Sequence, residues 1–68
     1  MVVNYKIKDH TFAIGHTVEA AIKRYSVTEI TRDEMDTLVE LFKILNNHQK
    51  VYPNKMYKIP YKIADDHL

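Results

Sequence analysis

The fold is decided by one stretch in the last third of the chain, Leu45-Asn46-Asn47-His48-Gln49-Lys50-Val51-Tyr52-Pro53-Asn54-Lys55-Met56-Tyr57-Lys58-Ile59-Pro60. The two asparagines at its start follow an apolar helical pattern, and asparagine tolerates the left-handed conformation that ends many helices. Pro53 and Asn54 then predict a turn. Apolar and polar residues alternate over residues 57–62, which predicts a strand with Pro60 at an edge or a strand end. The stretch therefore predicts a helix end, a loop and a strand in that order.

The helix that this stretch ends has a clear start. Thr31 and Glu34 have the spacing of a capping box, and Ile30 and Met35 have that of a hydrophobic staple. We expect the helix to begin after Thr31 and to end near Asn46 and Asn47. Its inward face is predicted by apolar residues at helical spacing, which are Met35, Leu38, Val39, Phe42 and Leu45, widened by Leu41 and Ile44.

A shorter helix of about two turns is predicted upstream. Thr17 is placed as its N-cap, and Glu19 lies in the first turn, where the helix dipole favours an acid. Gly15, just before it, is expected to adopt the positive φ of a tight turn. The buried face of this helix is predicted from Val18, Ala21, Ile22 and Tyr25.

The chain opens with a pattern typical of a half-buried strand. Val3, Tyr5 and Ile7 alternate with polar residues, which predicts a strand over residues 2–8. Residues 9–15 are expected to form a connector from which Phe12 and Ile14 fold back onto the core.

The predicted order of elements is strand, helix, helix, strand, which indicates a small α+β fold of βααβ type. A two-stranded antiparallel sheet is marginal alone, so both helices are expected to pack on one face of it. The 68 residues have room for one domain over residues 1–68, with a core at about residues 3–63 and a tail at 64–68.

Composition excludes several classes of function. The chain has no cysteine, so it can build neither a disulfide framework nor a thiolate metal site nor a cysteine nucleophile. Residues 1–8 lack the continuous apolar run of a signal peptide, and no stretch approaches the ~20 apolar residues that span a bilayer. We therefore expect a protein made in the cytoplasm, without membrane insertion.

The charges are unevenly distributed, although the formal net charge is only +1. A nucleic-acid interface would use the lysines of the C-terminal third as phosphate contacts, which are Lys50, Lys55, Lys58 and Lys62. The exposed side of the second helix would carry acids that repel phosphates, which are Asp33, Glu34, Asp36 and Glu40. Nucleic acid is therefore not an expected partner.

Candidate metal and catalytic residues are few. The four histidines do not share the i, i+4 spacing of a helical metal site, even with Asp65 and Asp66 beside the last, and are predicted to be solvated loop residues: His10, His16, His48 and His67. The single serine, Ser26, together with Glu29 is interpreted as another helix cap. With no paired carboxylates in a recognisable cleft and no glycine-rich phosphate loop, we expect no catalytic residue, metal or cofactor.

The more informative cluster lies in two predicted loops. If both loops lie at one end of the sheet, they form a shallow groove with amides, hydroxyls and one aromatic face, which suits a neutral sugar. The residues of this predicted groove are Gly15, His16 and Thr17 with Asn46, Asn47, His48, Val51, Tyr52 and Pro53. In the alternative, Tyr52 packs on the core and the amides only cap the second helix.

Three blocks of sequence resemble the LysM family, βααβ modules that bind N-acetylglucosamine-containing glycans. Gly15-His16-Thr17-Val18 resembles the family's Gly-Asp-Thr-Leu, and Ala21-Ile22-Lys23-Arg24-Tyr25-Ser26-Val27-Thr28 resembles its Ile-Ala-Lys-Lys-Tyr-Gly-Val-Ser. The third block is Leu45-Asn46 with residues 51–60, similar to Leu-Asn followed by Ile-Tyr-Pro-Gly-Gln-x-Leu-x-Ile-Pro. Tyr5-Lys6-Ile7-Lys8 also suits the opening strand.

The chain departs from the family pattern at four places. His16 stands for the family's Asp and Asn54 for its turn Gly, residues 9–14 are inserted before the first helix, and residues 29–38 lengthen the second. The insertions flank the loops that would hold a sugar, so the resemblance implies the fold more directly than the ligand.

The resemblance implies two functions. The first is a non-catalytic structural adaptor of a phage tail or baseplate, which is incorporated in a virion or other assembly and contacts its other structural proteins through the second helix, the loops or a strand edge. The alternative is a module that binds a peptidoglycan or chitin glycan. The resemblance places that sugar between two groups of residues, His16, Thr17 and Val18 on one side and Val51, Tyr52 and Pro53 on the other.

Overall fold

The structure, a computed structural model, describes residues 3–64 of the chain. Its elements are β1 (Asn4–Thr11), α1 (Val18–Tyr25), α2 (Arg32–Leu45) and β2 (Met56–Ala64). The two strands form an antiparallel sheet, and both helices pack against β2. The predicted α+β fold with the order βααβ is therefore confirmed.

Both predicted helix starts are confirmed by their hydrogen bonds. At the start of α2, the Thr31 N–H donates to Glu34 Oε1 at 2.9 Å, and the Glu34 N–H donates to Thr31 Oγ1 at 3.2 Å. At the start of α1, the Ala20 N–H donates to Thr17 Oγ1 at 3.1 Å. These caps satisfy N–H groups that lack partners in the first turn of a helix.

The predicted end of α2 is confirmed as well. Asn46 is the C-cap residue, and Asn47 and His48 follow with φ of 57° and 55°. Asparagine tolerates this left-handed conformation better than most residues, so the chain can leave the helix there without a glycine.

The core lies between the helices and β2, with Phe12 at its centre. The Phe12 ring packs edge-on against Phe42 with centroids 6.0 Å apart, and against Tyr57 at 5.8 Å. Phe12 folds back onto the core as predicted. The buried apolar residues are Val3, Phe12, Ala21, Ile22, Met35, Leu38, Phe42, Tyr57 and Ile59.

The predicted bounds of the first strand are wrong at its C-terminal end. The expected strand covered residues 2–8, whereas β1 runs from Asn4 to Thr11; Val2 lies outside the described residues. Residues 9–11 were assigned to a connector, but they continue the ladder opposite residues 56–58 of β2. Pairing with β2 therefore overrides the loss of apolar alternation after Ile7.

The short connector between β1 and α1 explains a second difference. The His16 N–H donates to the Ala13 carbonyl at 3.1 Å, and Gly15 has φ of +81°, as predicted. Ile14 and Gly15 are the two central residues of this turn, so Ile14 projects into solvent and is 88% exposed. The expectation that Ile14 folds back onto the core is wrong.

The apolar faces of β1 and α2 are less buried than predicted. Tyr5 and Ile7 are 42% and 44% exposed, although Val3 of the same alternating set is buried. Ile44, which was expected to widen the inward face of α2, is 61% exposed. The reason is that the helices pack mainly against β2 and that α1 reaches β1 through Tyr25, at Lys8 and His10, so the side chains of Tyr5, Ile7 and Ile44 are left partly uncovered.

Lys62 and Glu34 form an ion pair inside the protein, which corrects their assignment to exposed positions. Lys62 Nζ lies 2.9 Å from Glu34 Oε2, with side chains 4% and 6% exposed, and it also donates to the Glu29 carbonyl at 2.9 Å. The Thr31 N–H and then the Lys62 ammonium hold the pKa of Glu34 below its ordinary value. Each charge is retained in the interior because the other compensates it, and the pair joins the start of α2 to β2.

The end of α2 is joined to β2 by the side chain of Asn46. The Lys58 N–H donates to Asn46 Oδ1 at 3.0 Å, and Asn46 Nδ2 donates to the Lys58 carbonyl at 2.8 Å. The same Nδ2 donates to the Phe42 carbonyl at 2.8 Å, within the last turn of the helix. The amide of Asn46 therefore pairs with the strand as a neighbouring backbone would.

The end of α1 makes a matching connection four residues further along β2. Ser26, its C-cap residue, donates from Oγ to the Ile22 carbonyl at 2.6 Å and accepts the Lys62 N–H at 3.0 Å, while the Val27 N–H donates to the Lys62 carbonyl at 3.0 Å. Ser26 thus ends α1, which corrects its predicted pairing with Glu29 as a separate cap. Midway between Lys58 and Lys62 stands Pro60, which has no N–H.

We expect Asn46→Ala to lower the free energy of unfolding by about 1–3 kcal/mol, because Lys58 and Phe42 lose their hydrogen-bond partner. Asn46→Asp, which keeps an acceptor for the Lys58 N–H, should have an intermediate effect. Urea unfolding measures the change, with Gln49→Ala at a nearby exposed residue as the control. Equal stability of the Asn46→Ala and Gln49→Ala proteins would contradict the structural role of Asn46.

Candidate functional site

The two predicted binding loops leave the sheet at the same end. The ladder ends at the pair Thr11 and Met56, so the segment after Thr11 and the segment before Met56 start side by side. The Asn54 N–H donates to the Phe12 carbonyl at 3.1 Å, and the rings of Phe12 and His16 lie 5.9 Å apart. Phe12 therefore joins the loop that contains Val51, Tyr52 and Pro53 to the segment Gly15–Val18.

The loop with Tyr52 is fixed by the hydroxyl of Tyr57. That hydroxyl accepts the Tyr52 N–H at 2.8 Å and donates to the Lys50 carbonyl at 3.1 Å. The Tyr52 ring remains 52% exposed, with Lys55 Nζ 5.8 Å from its centroid. The alternative in which Tyr52 packs on the core is therefore wrong, and one aromatic face is available at this end of the sheet.

Two residues of the segment Gly15–Val18 already make contacts that stabilise the fold. Thr17 Oγ1 is the N-cap of α1, and Val18 packs against the core. Gly15 is exposed at the turn, and the His16 ring is half-buried beside Phe12. A ligand at this segment would meet backbone groups, the His16 ring and the hydroxyl hydrogen of Thr17.

The predicted groove residues Asn46 and Asn47 lie at the edge of β2. The Asn46 amide donates to the carbonyls of Phe42 and Lys58. The alternative in which the amides cap the second helix is therefore confirmed for Asn46. Asn47 is exposed and lines an open depression along β2 together with Met56 and Lys58. Neither asparagine makes a described hydrogen bond to the segment Gly15–Val18.

His10 is a buried residue that sequence reasoning placed among solvated loop histidines. Its Nδ1 lies 2.7 Å from the Tyr25 hydroxyl, and the two rings meet edge to face at 5.3 Å. The His16 ring lies 5.5 Å from it, and Lys8 Nζ stands 4.3 Å from the centroid of Tyr25. The signal that could have revealed its burial is the apolar Phe12 two residues later, since alternate residues of an extended chain face the same side, and the two rings do lie 4.7 Å apart.

The surroundings of His10 favour the neutral imidazole. Burial lowers its pKa most, followed by the positive charges of His16, Arg24 and Lys8. Its Nε2 is buried without a hydrogen-bond partner among the described residues. The pair of His10 and Tyr25 thus holds a neutral ring against a phenol, an arrangement that disfavours proton uptake.

An apolar groove, which the sequence did not predict, lies between α2 and the start of β1. It is open, has a volume of about 690 Å³, and is lined mainly by carbon. Its apolar lining residues are Val3, Tyr5, Leu38, Leu41 and Ile44, and its polar ones are Asp36, Thr37 and Glu40. The groove exists because the apolar face of α2 is wider than the part that β2 covers.

Residues 3–64 hold neither a cluster of metal ligands nor a helix that could cross a membrane. No three His, Cys, Asp or Glu side chains in that range are placed to hold a metal ion together. The candidates Asp65, Asp66 and His67 lie outside the described residues. Neither helix in the described range has the length and apolar character needed to cross a membrane.

Comparisons of the chain with protein-family models, curated proteins and solved structures find no match.

We expect the imidazole of His10 to titrate at lower pH in the folded protein than in the chain unfolded by urea. Because the pKa of His10 is lower in the folded protein, the neutral ring contributes to the free energy of unfolding. This contribution is complete above the unfolded pKa of about 6.5 and is lost as the pH falls through the folded pKa. Proton NMR of the imidazole ring gives both pKa values, and urea unfolding at pH 7.5 and pH 5 gives the stability.

The pH dependence should shrink in His10→Gln and persist in His48→Asn, which changes an exposed loop residue with positive φ. Equal pKa values in the folded and unfolded chain would show that His10 is not buried as described.

Proposed function

We propose that the chain is a non-catalytic LysM-like adaptor, a small structural protein that joins other proteins of an assembly such as a phage tail or baseplate. The single observation that supports this function most is the apolar groove between α2 and the start of β1. The resemblance of the sequence blocks supplies the setting, in which the chain is made in the cytoplasm and incorporated in a virion or other assembly.

The chemistry of the apolar groove suits a protein better than a sugar. Tyr5 and Ile44 expose 42% and 61% of their surface at its walls, and apolar side chains of a partner would remove that area from water. The polar lining is limited to Asp36, Thr37 and Glu40, which matches the polar rim of protein interfaces. A glycan would need more hydrogen-bonding groups along the walls than these.

Two of the polar lining residues are already paired on the surface of α2. Asp36 lies 3.6 Å from Arg32, and Glu40 lies 3.4 Å from Lys43, in exposed ion pairs of small net strength. A partner can therefore rearrange them at little cost, so the charges set the orientation of a bound protein more than its affinity.

A second candidate function, binding of an N-acetylglucosamine-containing glycan, is favoured by a different observation. The exposed Tyr52 ring lies in a loop fixed by Tyr57, at the same end of the sheet as Gly15 and Thr17. An exposed aromatic face beside backbone amides and a hydroxyl is a suitable surface for a neutral sugar ring. The two candidates use different surfaces, so one protein can be tested for both.

The adaptor is tested by cross-linking in cells that make the chain together with its natural partners. A photo-activated cross-linking amino acid is placed at one of three exposed positions, which are Ile44, Tyr52 and Lys23. We expect a defined cross-linked protein from position 44 only, because that position borders the apolar groove. Ile44→Glu, tested with the cross-linker at position 41, should abolish the product. A product from position 52 alone would contradict docking at the apolar groove and move the protein contact to the loops, whereas no product from any of the three positions would contradict the adaptor.

The glycan alternative is tested by NMR titration with the tetramer of N-acetylglucosamine. If the adaptor is the sole function, the spectrum stays that of a folded protein, without saturable shifts at residues 15–18 and 51–53. Saturable shifts confined to those residues, which Tyr52→Ala weakens, would establish a glycan-binding module and make the adaptor the secondary function.

A further inference from the structure

The two edges of the sheet differ in their hydrogen bonding, and the register shows which groups are involved. Lys58 and Lys62 direct both backbone N–H and C=O away from β1, towards Asn46 and towards residues 26–27. Residues opposite each other in an antiparallel pair either exchange both bonds or exchange none. The partners of Lys58 and Lys62, which are Asp9 and Tyr5, therefore direct their own N–H and C=O away from β2.

Ile7 lies between these two residues and directs its backbone groups the same way, since the direction repeats every second residue. Residue 60, its partner across the sheet, is a proline. Among residues 3–64, no loop, cap or side chain forms a hydrogen bond with the outward groups of Tyr5, Ile7 and Asp9. Within the described part of the chain, the outer edge of β1 thus presents a row of donors and acceptors without partners, while Lys58 and Lys62 on the outer edge of β2 are hydrogen-bonded.

The side chains along β1 alternate in chemistry. Tyr5 and Ile7 are exposed apolar residues on one face, and Tyr5 also lines the apolar groove. Lys6 and Lys8 lie on the other face, where Lys8 stands over the Tyr25 ring and Lys6 is exposed. A strand added to this edge would place one set of its side chains beside Tyr5, Ile7 and Asp9, whose carboxylate lies 3.6 Å from Lys58 Nζ, and the other set beside Lys6 and Lys8.

We propose that the outer edge of β1 receives an extended segment of a partner protein in which apolar residues alternate with acidic ones. The backbone of that segment pairs with Tyr5, Ile7 and Asp9. Its apolar side chains lie beside Tyr5 and Ile7 next to the apolar groove, and its carboxylates lie beside Lys6 and Lys8. This inference rests on the proposed adaptor function and defines the kind of segment that binds.

The charges of β1 argue against a second copy of the chain as the added strand. Antiparallel self-pairing centred on residue 6, 7 or 8 places Lys6 opposite Lys6, Lys6 opposite Lys8, or Lys8 opposite Lys8, respectively. Like charges directly opposite each other destabilise a strand pair. An acidic partner strand replaces each of these repulsions by an attraction.

The probe is a capped seven-residue peptide in which valine alternates with glutamate, titrated into the isotope-labelled full chain and followed by NMR. We expect saturable shifts at the amides of Tyr5, Ile7 and Asp9, with slower hydrogen exchange there. The same peptide with lysine in place of glutamate should bind about tenfold more weakly. The peptide with alternate backbone nitrogens methylated should not bind, because it cannot donate to the edge.

Two variants of the chain test strand addition by changing β1 instead of the peptide. Ile7→Pro removes one outward N–H from a strand edge, where proline is tolerated, and should abolish the shifts. Lys6→Glu should reverse the preference between the glutamate and lysine peptides, and it remains informative if Ile7→Pro does not fold. Unchanged binding by either folded variant would overturn the inference.

The outcomes separate this inference from the adaptor function. Shifts at Leu38, Leu41 and Ile44 without shifts at Tyr5, Ile7 and Asp9 would overturn strand addition and leave the apolar groove as a protein-binding site. No binding of the glutamate peptide by a folded chain would also overturn strand addition, while a cross-link from position 44 would still support the adaptor. If the chain associates with itself through β1 and the peptide does not displace this contact, the outer edge of β1 binds a second copy of the chain instead.

Discussion

The structure depends on the hydrogen bonds that the C-terminal ends of both helices make to the outer edge of β2. Asn46 pairs with Lys58, and Ser26 and Val27 pair with Lys62, while Pro60 between them has no N–H to satisfy. Each helix is thereby fixed to the strand at the residue where the helix ends. The buried pair of Lys62 and Glu34 adds the start of α2 to the same strand. A sheet of only two strands is marginal in water, and these connections supply what further strands would otherwise provide.

The same arrangement decides which surfaces remain open for binding. Both helices are fixed to β2, and α1 reaches β1 through Tyr25, at Lys8 and His10. The excess apolar surface of α2 is left beside Tyr5 as the apolar groove. Among residues 3–64, no group hydrogen-bonds the outward backbone of Tyr5, Ile7 and Asp9 at the outer edge of β1. This asymmetry suits an adaptor. The side of β2 is hydrogen-bonded to the helix ends, whereas the side of β1 offers a partner both apolar surface and backbone hydrogen-bonding groups. The loop with Tyr52 lies at the end of the sheet and is a separate surface.

Local features of the fold could be predicted from the sequence, whereas distant pairings could not. The starts of both helices and the end of α2 were correct because Thr17, Thr31 and the asparagines act on residues within one turn. The burial of Lys62 depends on Glu34, 28 positions away, and that of His10 on Tyr25, 15 positions away, so no local pattern reveals them. The predicted binding loops do meet at one end of the sheet, but Asn46 is committed to β2. The apolar groove depends on which surfaces stay uncovered, which is a property of the whole packing.

The difference between the two edges of the sheet is measured by amide hydrogen exchange of the isolated protein. We expect the amides of Lys58 and Lys62 to exchange more slowly than those of Tyr5, Ile7 and Asp9 by more than about tenfold, because the former are hydrogen-bonded and the latter have no partner among residues 3–64. Equal protection of the two sets would show that the edge of β1 is covered or that the helix ends do not bond β2, and it would contradict the difference between the two edges.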